Sequence, residues 1–269
     1  MSARRRGESP TLARVIVAIP WAAFAVVIIV AGGGLFAFAV IGFGIVALAE
    51  LYRMLAPARP IVIAGYAGLA GLVLSAEYGD QFQMVLTLVL TFLLAFLLTV
   101  ARRQRRHVTI AMAATLFGVF WIGLALAHAV LLRELDHGGA LLANTLIATF
   151  LGDTGAYFGG RYWGVHQLAP RISPAKTVEG LAAGIVVGTF AFWFAGLYQD
   201  WLSHGDALLI GLCVATVAPL GDLFESLVKR DLGVKDTGRL LGEHGGVLDR
   251  LDAAFFAVVV AYYASVGLI

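Results

Sequence analysis

The sequence predicts an all-α, polytopic transmembrane helical protein of about nine spans, and three observations carry that expectation. Apolar residues fill 60% of the 269 positions and charged residues only 13%, against roughly 45–50% and 25% in soluble domains. Apolar runs follow one another with hardly any polar sequence between them, so a single membrane domain is expected over 1-269. The basic residues, finally, fall almost entirely into alternate connections between those runs.

Taken in order, the opening MSARRRGESPTLARVIVAIP joins a charged start to an apolar run over 15–31. The run is long for a secretory leader and more spans follow it, so 12-31 is expected to be a first anchor. Segments apolar enough to span follow at 34-54, 60-78, 82-100, 107-132, 139-160, 177-198, 205-228 and 250-268. Turns such as GGG, APARP, EYGDQ, RRQRRH and RELDHGG separate them. Numbered alternately, one set of connections holds eighteen of the nineteen Lys and Arg residues and the other holds only Arg133. Cytoplasmic loops are enriched in Lys and Arg, so the N-terminus is expected in the cytoplasm and the C-terminus outside. The two longest connections, 161-176 and 229-249, then share the cytoplasmic face, where nucleotides and Mg²⁺ are available.

A net charge of +2 gives no reason to expect a nucleic-acid partner. The single cysteine, Cys213, excludes an internal disulfide and a thiolate metal cluster, and is expected to be a packed thiol. No internal repeat is apparent, which disfavours the inverted-repeat plan of many transporters.

Ionisable groups at membrane depth are costly and need a partner, a wet cavity or a function. Asp222, Glu225, Ser226 and Lys229 recur every three or four residues near the cytoplasmic end of the eighth span, so they share one stripe of a helix. Asp249 and Asp252 follow at the start of the ninth. Acids at a helix start also complement its dipole, and Asp252 alone is equally well explained so. Two acidic helix ends joined by a polar loop suggest more. Carboxylates supply hard oxygen ligands, and Asp222 and Asp249 are the metal candidates. Between them Lys229, Arg230, Lys235 and Arg239 offer cations to phosphate oxygens, while Gly245 and Gly246 let backbone approach a ligand. Basic residues can equally be topology signals at lipid head groups, and that reading is preferred for Arg102, Arg103, Arg105 and Arg106.

In GDTGAYFGGRYWG, Asp153, Tyr157 and Arg161 recur at helical spacing, and Gly159–Gly160 is expected to free the helix end; Asp153 could instead be a hydrogen-bonding residue inside the bundle. In RISPAKTVEG, Ser173 followed by Pro174 looks like an N-cap with proline in the first helical position. The seventh helix would then aim its amides at the cytoplasmic side, as phosphate-binding helices do. Lys176 adds a point charge and Glu179 an acid one turn in, although the two could simply pair with each other. His244 lacks a second histidine at ligand spacing, so a hydrogen-bonding role near a nucleotide is expected; the other five histidines are expected to pack.

The stretch SLVKRDLGVKDTGRLLGEHGGVLDRLD, from Ser226 to Asp252, resembles the complete signature of the phosphatidate cytidylyltransferases, or CDP-diacylglycerol synthases: S, KR, KD, G, HGG, then DR and D. DTGAYFGGRYWG and APRISPAKTVEG are similar to two further blocks of bacterial members. The resemblance covers about 150-252, and 1-140 match only as apolar spans. It implies that CTP and phosphatidic acid give CDP-diacylglycerol and pyrophosphate for phospholipid synthesis. It also implies Mg²⁺ with K⁺ alongside, a homodimer, and a multi-pass place in the bacterial inner membrane with the active site on the cytoplasmic face. Helices before 140 would anchor and dimerise, and 141-269 would carry the catalytic helices and loops. Carried over by position, Asp222 and Asp249 are metal ligands, and Lys229, Arg230, Lys235, Asp236, His244 and Arg250 are catalytic. Ser173, Lys176, Thr177, Glu179 and Ser226 are expected on the same ground to contact substrate, and Asp153, Tyr157, Arg161, Arg239, Gly245 and Gly246 are expected to do so from the residue patterns above. Two rivals remain: a CTP-dependent lipid kinase, and an ion-coupled transporter, which would need polar groups reaching both faces.

Overall fold

The computed structural model describes residues 23–101, 107–238 and 245–269. The anchor expected at 12-31 falls mostly outside that set, as do Arg102, Arg103, Arg105, Arg106, Arg239 and His244. Residues 23–31 form helix α1. Gly32 and Gly33 then take φ of 61° and 53°, a region open mainly to glycine, and the chain turns into α2 (Gly33–Met54). A 3-10 turn at Ala56–Ala58 leads to α3 (Val62–Tyr78) and α4 (Gln81–Ala101). Helix α5 (Val108–Gly118) passes through a π-helical turn, Val119–Gly123, into α6 (Leu124–Glu134), so the span expected at 107-132 is one helix with a local widening. Next come α7 (Gly138–Trp163), strands β1 (Gln167–Ala169) and β2 (Ser173–Thr177), α8 (Val178–Gly196), α9 (His204–Asp231) and α10 (Leu248–Leu268).

The protein is mostly helical, as the composition predicts. Among the described residues six helices are long and apolar enough to cross a membrane: α2, α4, the α5–α6 stretch, α8, α9 and α10; α3 is a shorter apolar helix of 17 residues. The outer face of α4 shows why lipid suits this surface, since Phe82, Val85, Val89, Phe96 and Leu97 all lie exposed along it.

Two local expectations are corrected. Ser173 does not cap a helix. It begins β2, which pairs antiparallel with β1 so that Gln167 faces Thr177 and Ala169 faces Ser173. A two-stranded hairpin is all edge, so Pro174 costs it no essential ladder bond. The true N-cap is Thr177, extended at φ −122° and ψ 157°, whose hydroxyl accepts from the Gly180 amide at 3.1 Å. Nor do Gly159 and Gly160 release the end of α7, which runs on to Trp163. Those glycines serve packing instead.

Between apolar helices in lipid, van der Waals contact and close backbone approach replace the hydrophobic drive. Helix α7 lays Ala148, Gly152, Ala156 and Gly160 along α8, which presents Gly180, Gly184 and Gly188 at the same four-residue spacing. A Cβ on Gly184 would lie 2.9 Å from both Ala156 Cβ and Gly152 O, and one on Gly188 would lie 3.0 Å from Ala148 O. Helix α9 packs on α8 with one face and on α10 with another. At Gly221 it meets α10 backbone to backbone, 3.1 Å separating a would-be Cβ from Ala253 Cα. This is the position just before Asp222, so the seam sets how near the acidic stripe comes to the start of α10.

Gly184→Val should therefore force α7 and α8 apart at a cost of about 1–3 kcal/mol, the usual range for overpacking. A thermal midpoint in detergent equal to that of the unaltered protein would refute the seam.

Candidate active site

Helix α9 carries the site. Its charged residues recur on one stripe because Asp222, Glu225 and Lys229 are three and four residues apart, and Pro219 lies inside the helix just ahead of them. On one side the stripe faces the hairpin. Lys176 Nζ lies 2.5 Å from Asp222 Oδ2, and Ser226 Oγ points to Asp222 Oδ1 at 3.4 Å. Because β2 is extended and anchored at Thr177, Lys176 projects across to α9 and does not pair with Glu179.

A cavity of about 610 Å³ opens between α7, the hairpin, the start of α8 and α9. Asp153, Tyr157 and Arg161 of α7, Ser173, Lys176 and Thr177 of the hairpin, and Asp222 of α9 all line it. The sequence blocks singled out around 153 and 173 are thus brought together with the eighth-span acid. Arg161 donates to Tyr157 Oη at 2.9 Å, and Arg230 Nε ties the end of α9 to Ile172 O at 3.2 Å. Glu179 sits elsewhere. Its carboxylate accepts from the amides of Val165 and His166 and lies 2.6 Å from His166 Nδ1, closing the turn between α7 and β1.

On the other side of the stripe, Lys229 bridges the last two helices, with Nζ 3.0 Å from Glu225 Oε2 and 2.9 Å from Asp249 Oδ1. Asp249 also accepts from the Gly246 amide at 2.8 Å and from the Thr237 amide and hydroxyl at 3.1 and 2.9 Å. Thr237 and Gly246 thus approach this carboxylate from the two described ends of the loop. Gly245 holds φ of 78°, and a Cβ there would lie 2.9 Å from Asp249 Oδ2, so glycine is needed twice over. Lys235, Asp236 and Arg250 are exposed at the loop's margins.

The sequence reading passed over Thr237 and Glu50. Glu50 of α2 accepts from the Leu248 amide at 2.9 Å, behind the loop. The available signal was a lone acid in the apolar run ALAELYRM. Glu225, on the stripe, and Asp252, at the start of the ninth span, were singled out by the sequence but not assigned to the site.

The donor set is all oxygen. Asp153, Asp222, Glu225 and Asp252, from three helices, lie close enough to act on one another electrostatically. No N–H or hydroxyl donor reaches the buried Glu225 Oε1, and the Glu225 carboxyl lies against that of Asp252. Such carboxylates fit a hard cation like Mg²⁺, which takes one or two of them and completes its shell with waters and substrate phosphates. Among the described residues no group of three or more His, Cys, Asp or Glu side chains is arranged to hold a metal by itself.

A family model described as "Cytidylyltransferase family" matches residues 12–266. The chain is 40% identical over 150 residues to the phosphatidate cytidylyltransferase of Mycobacterium leprae, covering 56% of this chain and 48% of that one. It is 39% identical over 145 residues to the Bacillus subtilis protein of the same name, covering 53% and 54%. With the Haemophilus influenzae protein so named, the identity is 45% over 128 residues, covering 45% and 44%. The chain spans about half the length of the curated relatives it matches.

Lys229 is largely buried between two carboxylates, and removing one member of such a cluster leaves charge uncompensated, typically at a cost of about 3–5 kcal/mol. Lys229→Met should accordingly lower the thermal midpoint, and adding Glu225→Gln should restore part of the loss. Equal midpoints for Lys229→Met and the unaltered protein would show that the bridge contributes nothing.

Proposed function

The chain belongs to the cytidylyltransferase family, and from that premise we propose that it transfers the cytidylyl group of CTP to phosphatidic acid, giving CDP-diacylglycerol and pyrophosphate. The observation that carries this reading is the cavity where Lys176 and Arg161 meet Asp153 and Asp222. Its volume lies within the roughly 300–1,000 Å³ of small-molecule sites, and its lining offers cations for phosphates beside acids for a metal. The relatives named phosphatidate cytidylyltransferase support the choice of substrates.

A phosphate oxygen of the lipid attacks the α-phosphorus of CTP; a new P–O bond forms as the bond to the β-phosphate bridging oxygen breaks, and pyrophosphate leaves with the electron pair. The nucleophile is already anionic, so no strong general base is required. The residues must instead hold two anions together against their repulsion. Lys176, held by Asp222, is placed to take a phosphate oxygen, and Arg161 adds a second cation on the α7 side. Lys229 and Arg230 neutralise charge on the leaving group, with Lys235 and Arg250 at the loop's margins; Arg239 and His244, expected at the phosphates and the nucleotide, lie outside the described residues. Asp222 and Asp249 would hold Mg²⁺, which would supply positive charge to phosphate oxygens, and K⁺ is the second ion this reading includes.

The protein is a homodimer in the bacterial inner membrane, with nine spans, a cytoplasmic N-terminus, an outside C-terminus and its site facing the cytoplasm. Charge asymmetry supports that orientation, with Arg133 standing apart from the other eighteen basic residues. Exposed Tyr157, Phe158, Tyr162 and Trp163 beside the cavity support a position at head-group depth, where aromatic belts sit. A two-tailed lipid could then present its phosphate without leaving the leaflet.

Purified protein incubated with α-labelled CTP, phosphatidic acid in detergent micelles and Mg²⁺ should move label into the lipid phase. Label remaining in water-soluble CDP, with γ-label entering the lipid, would point to a kinase instead. Asp222→Asn and Asp249→Asn should each lower kcat by about 10²–10³-fold, the scale of losing one electrostatic stabiliser of developing charge. Near-normal turnover in either variant would remove that residue from the metal site.

A further inference from the structure

Glu50 lies in α2, in the half of the chain that matches the resemblance only as apolar spans, yet only 1% of it is exposed and it reaches the signature loop. One oxygen, Oε2, accepts from the Leu248 amide at 2.9 Å and lies 3.4 Å from Thr237 Oγ1. Leu248 opens α10, whose own N-cap position, Val247, offers no side-chain acceptor. The first turn of a helix has amides without partners and a positive dipole end, and here the acceptor comes from another helix 198 positions away. The other oxygen, Oε1, is buried and receives no hydrogen bond.

The loop closes on both sides of this carboxyl. A Cβ on Gly238 would fall 2.6 Å from Glu50 Oε1, and one on Gly246 would fall 2.5 Å from Oε2. Thr237, Gly246 and Leu248 therefore all rest on Glu50, and two of these three also hold Asp249. Thr237 has one hydroxyl proton and two carboxylates within reach, Asp249 at 2.9 Å and Glu50 at 3.4 Å. The shorter contact takes the proton, which leaves Glu50 to orient the threonine by charge and by contact. An acid at membrane depth is costly unless it is used, and nothing else on α2 accounts for this one.

We propose that Glu50 is a positioning residue: it fixes the start of α10 and the Thr237 hydroxyl so that Asp249 and Lys229 meet at the geometry cytidylyl transfer needs. It touches no reacting atom. The inference rests on the function proposed above, and it makes the N-terminal half part of the site's framework as well as its anchor.

Three variants test it with α-labelled CTP and phosphatidic acid micelles. Glu50→Ala removes the acceptor, Glu50→Asp keeps the charge but is one methylene too short to reach Leu248, and Glu50→Gln keeps an oxygen in place. Expected are a loss of at least about tenfold in kcat for Glu50→Ala and Glu50→Asp, KM for CTP within about threefold of the unaltered value, and Glu50→Gln within about threefold throughout. Unaltered kcat in Glu50→Asp overturns the proposal, and so does a loss in Glu50→Gln as large as in Glu50→Ala, which would show that charge rather than position matters. A separate arm reads amide hydrogen exchange over 245–249, where Glu50→Ala and Glu50→Asp should each exchange about tenfold faster; unchanged exchange in Glu50→Asp also overturns it. Should the unaltered protein transfer no label, the proposed function fails while the exchange arm still judges Glu50.

Discussion

One ammonium group between two helices organises the C-terminal half of this protein. Lys229 of α9 is shared by Glu225 on its own helix and Asp249 on α10, all three largely shielded from solvent. Charges at that depth are tolerable when most of their oxygens and N–H groups have partners, and in this cluster Glu225 Oε1 is the oxygen that receives no N–H. The loop amides at Thr237 and Gly246 supply the remaining partners of Asp249. The register of α9 against α10, the approach of Thr237 and Gly246 to Asp249 and the direction of the acidic stripe are all tied to satisfying that cluster.

The other half of the site depends on packing. Helices α7 and α8 approach closely because small residues line both, so the short hairpin connecting them is held against α9. Lys176 can then reach Asp222 from a strand, with its backbone tied at both ends. Rigid elements carry the side chains that meet the cavity, and such placement favours reactions limited by bringing two repelling anions together. Helix α9 serves both halves: its Asp222 faces the cavity and its Lys229 faces the loop.

Family membership and local geometry meet at the cavity. The acids are oxygen donors without histidine or thiolate, and the cations lining the cavity, Arg161 of α7 and Lys176 of β2, come from two separate elements. Tyr157, Phe158 and Tyr162 form a ladder of ring contacts along α7 beside it. A site for one water-soluble and one membrane-held anion needs this combination of charge and interfacial aromatic surface.

Much of this was legible in the linear chain. Hydrophobic run lengths located the helices, and three-to-four residue spacing put Asp222, Glu225 and Lys229 on one face, because both features depend only on local periodicity. The blocks around Asp153 and Ser173 were recognisable as polar exceptions to an apolar background. What local pattern could not supply was the hairpin at β1 and β2, since Ser-Pro reads equally well as a helix start or as an edge strand and only pairing with Gln167 and Ala169 decides. Partner choice was equally hidden: Lys176 with Asp222 instead of Glu179, Glu179 with His166, and Glu50 with an amide 198 positions on. The sequence by itself determined which residues must avoid lipid, because that cost is paid by each residue individually. Only the tertiary structure decided which of them meet, because pairing depends on distances between helices that glycine seams and buried charges set together.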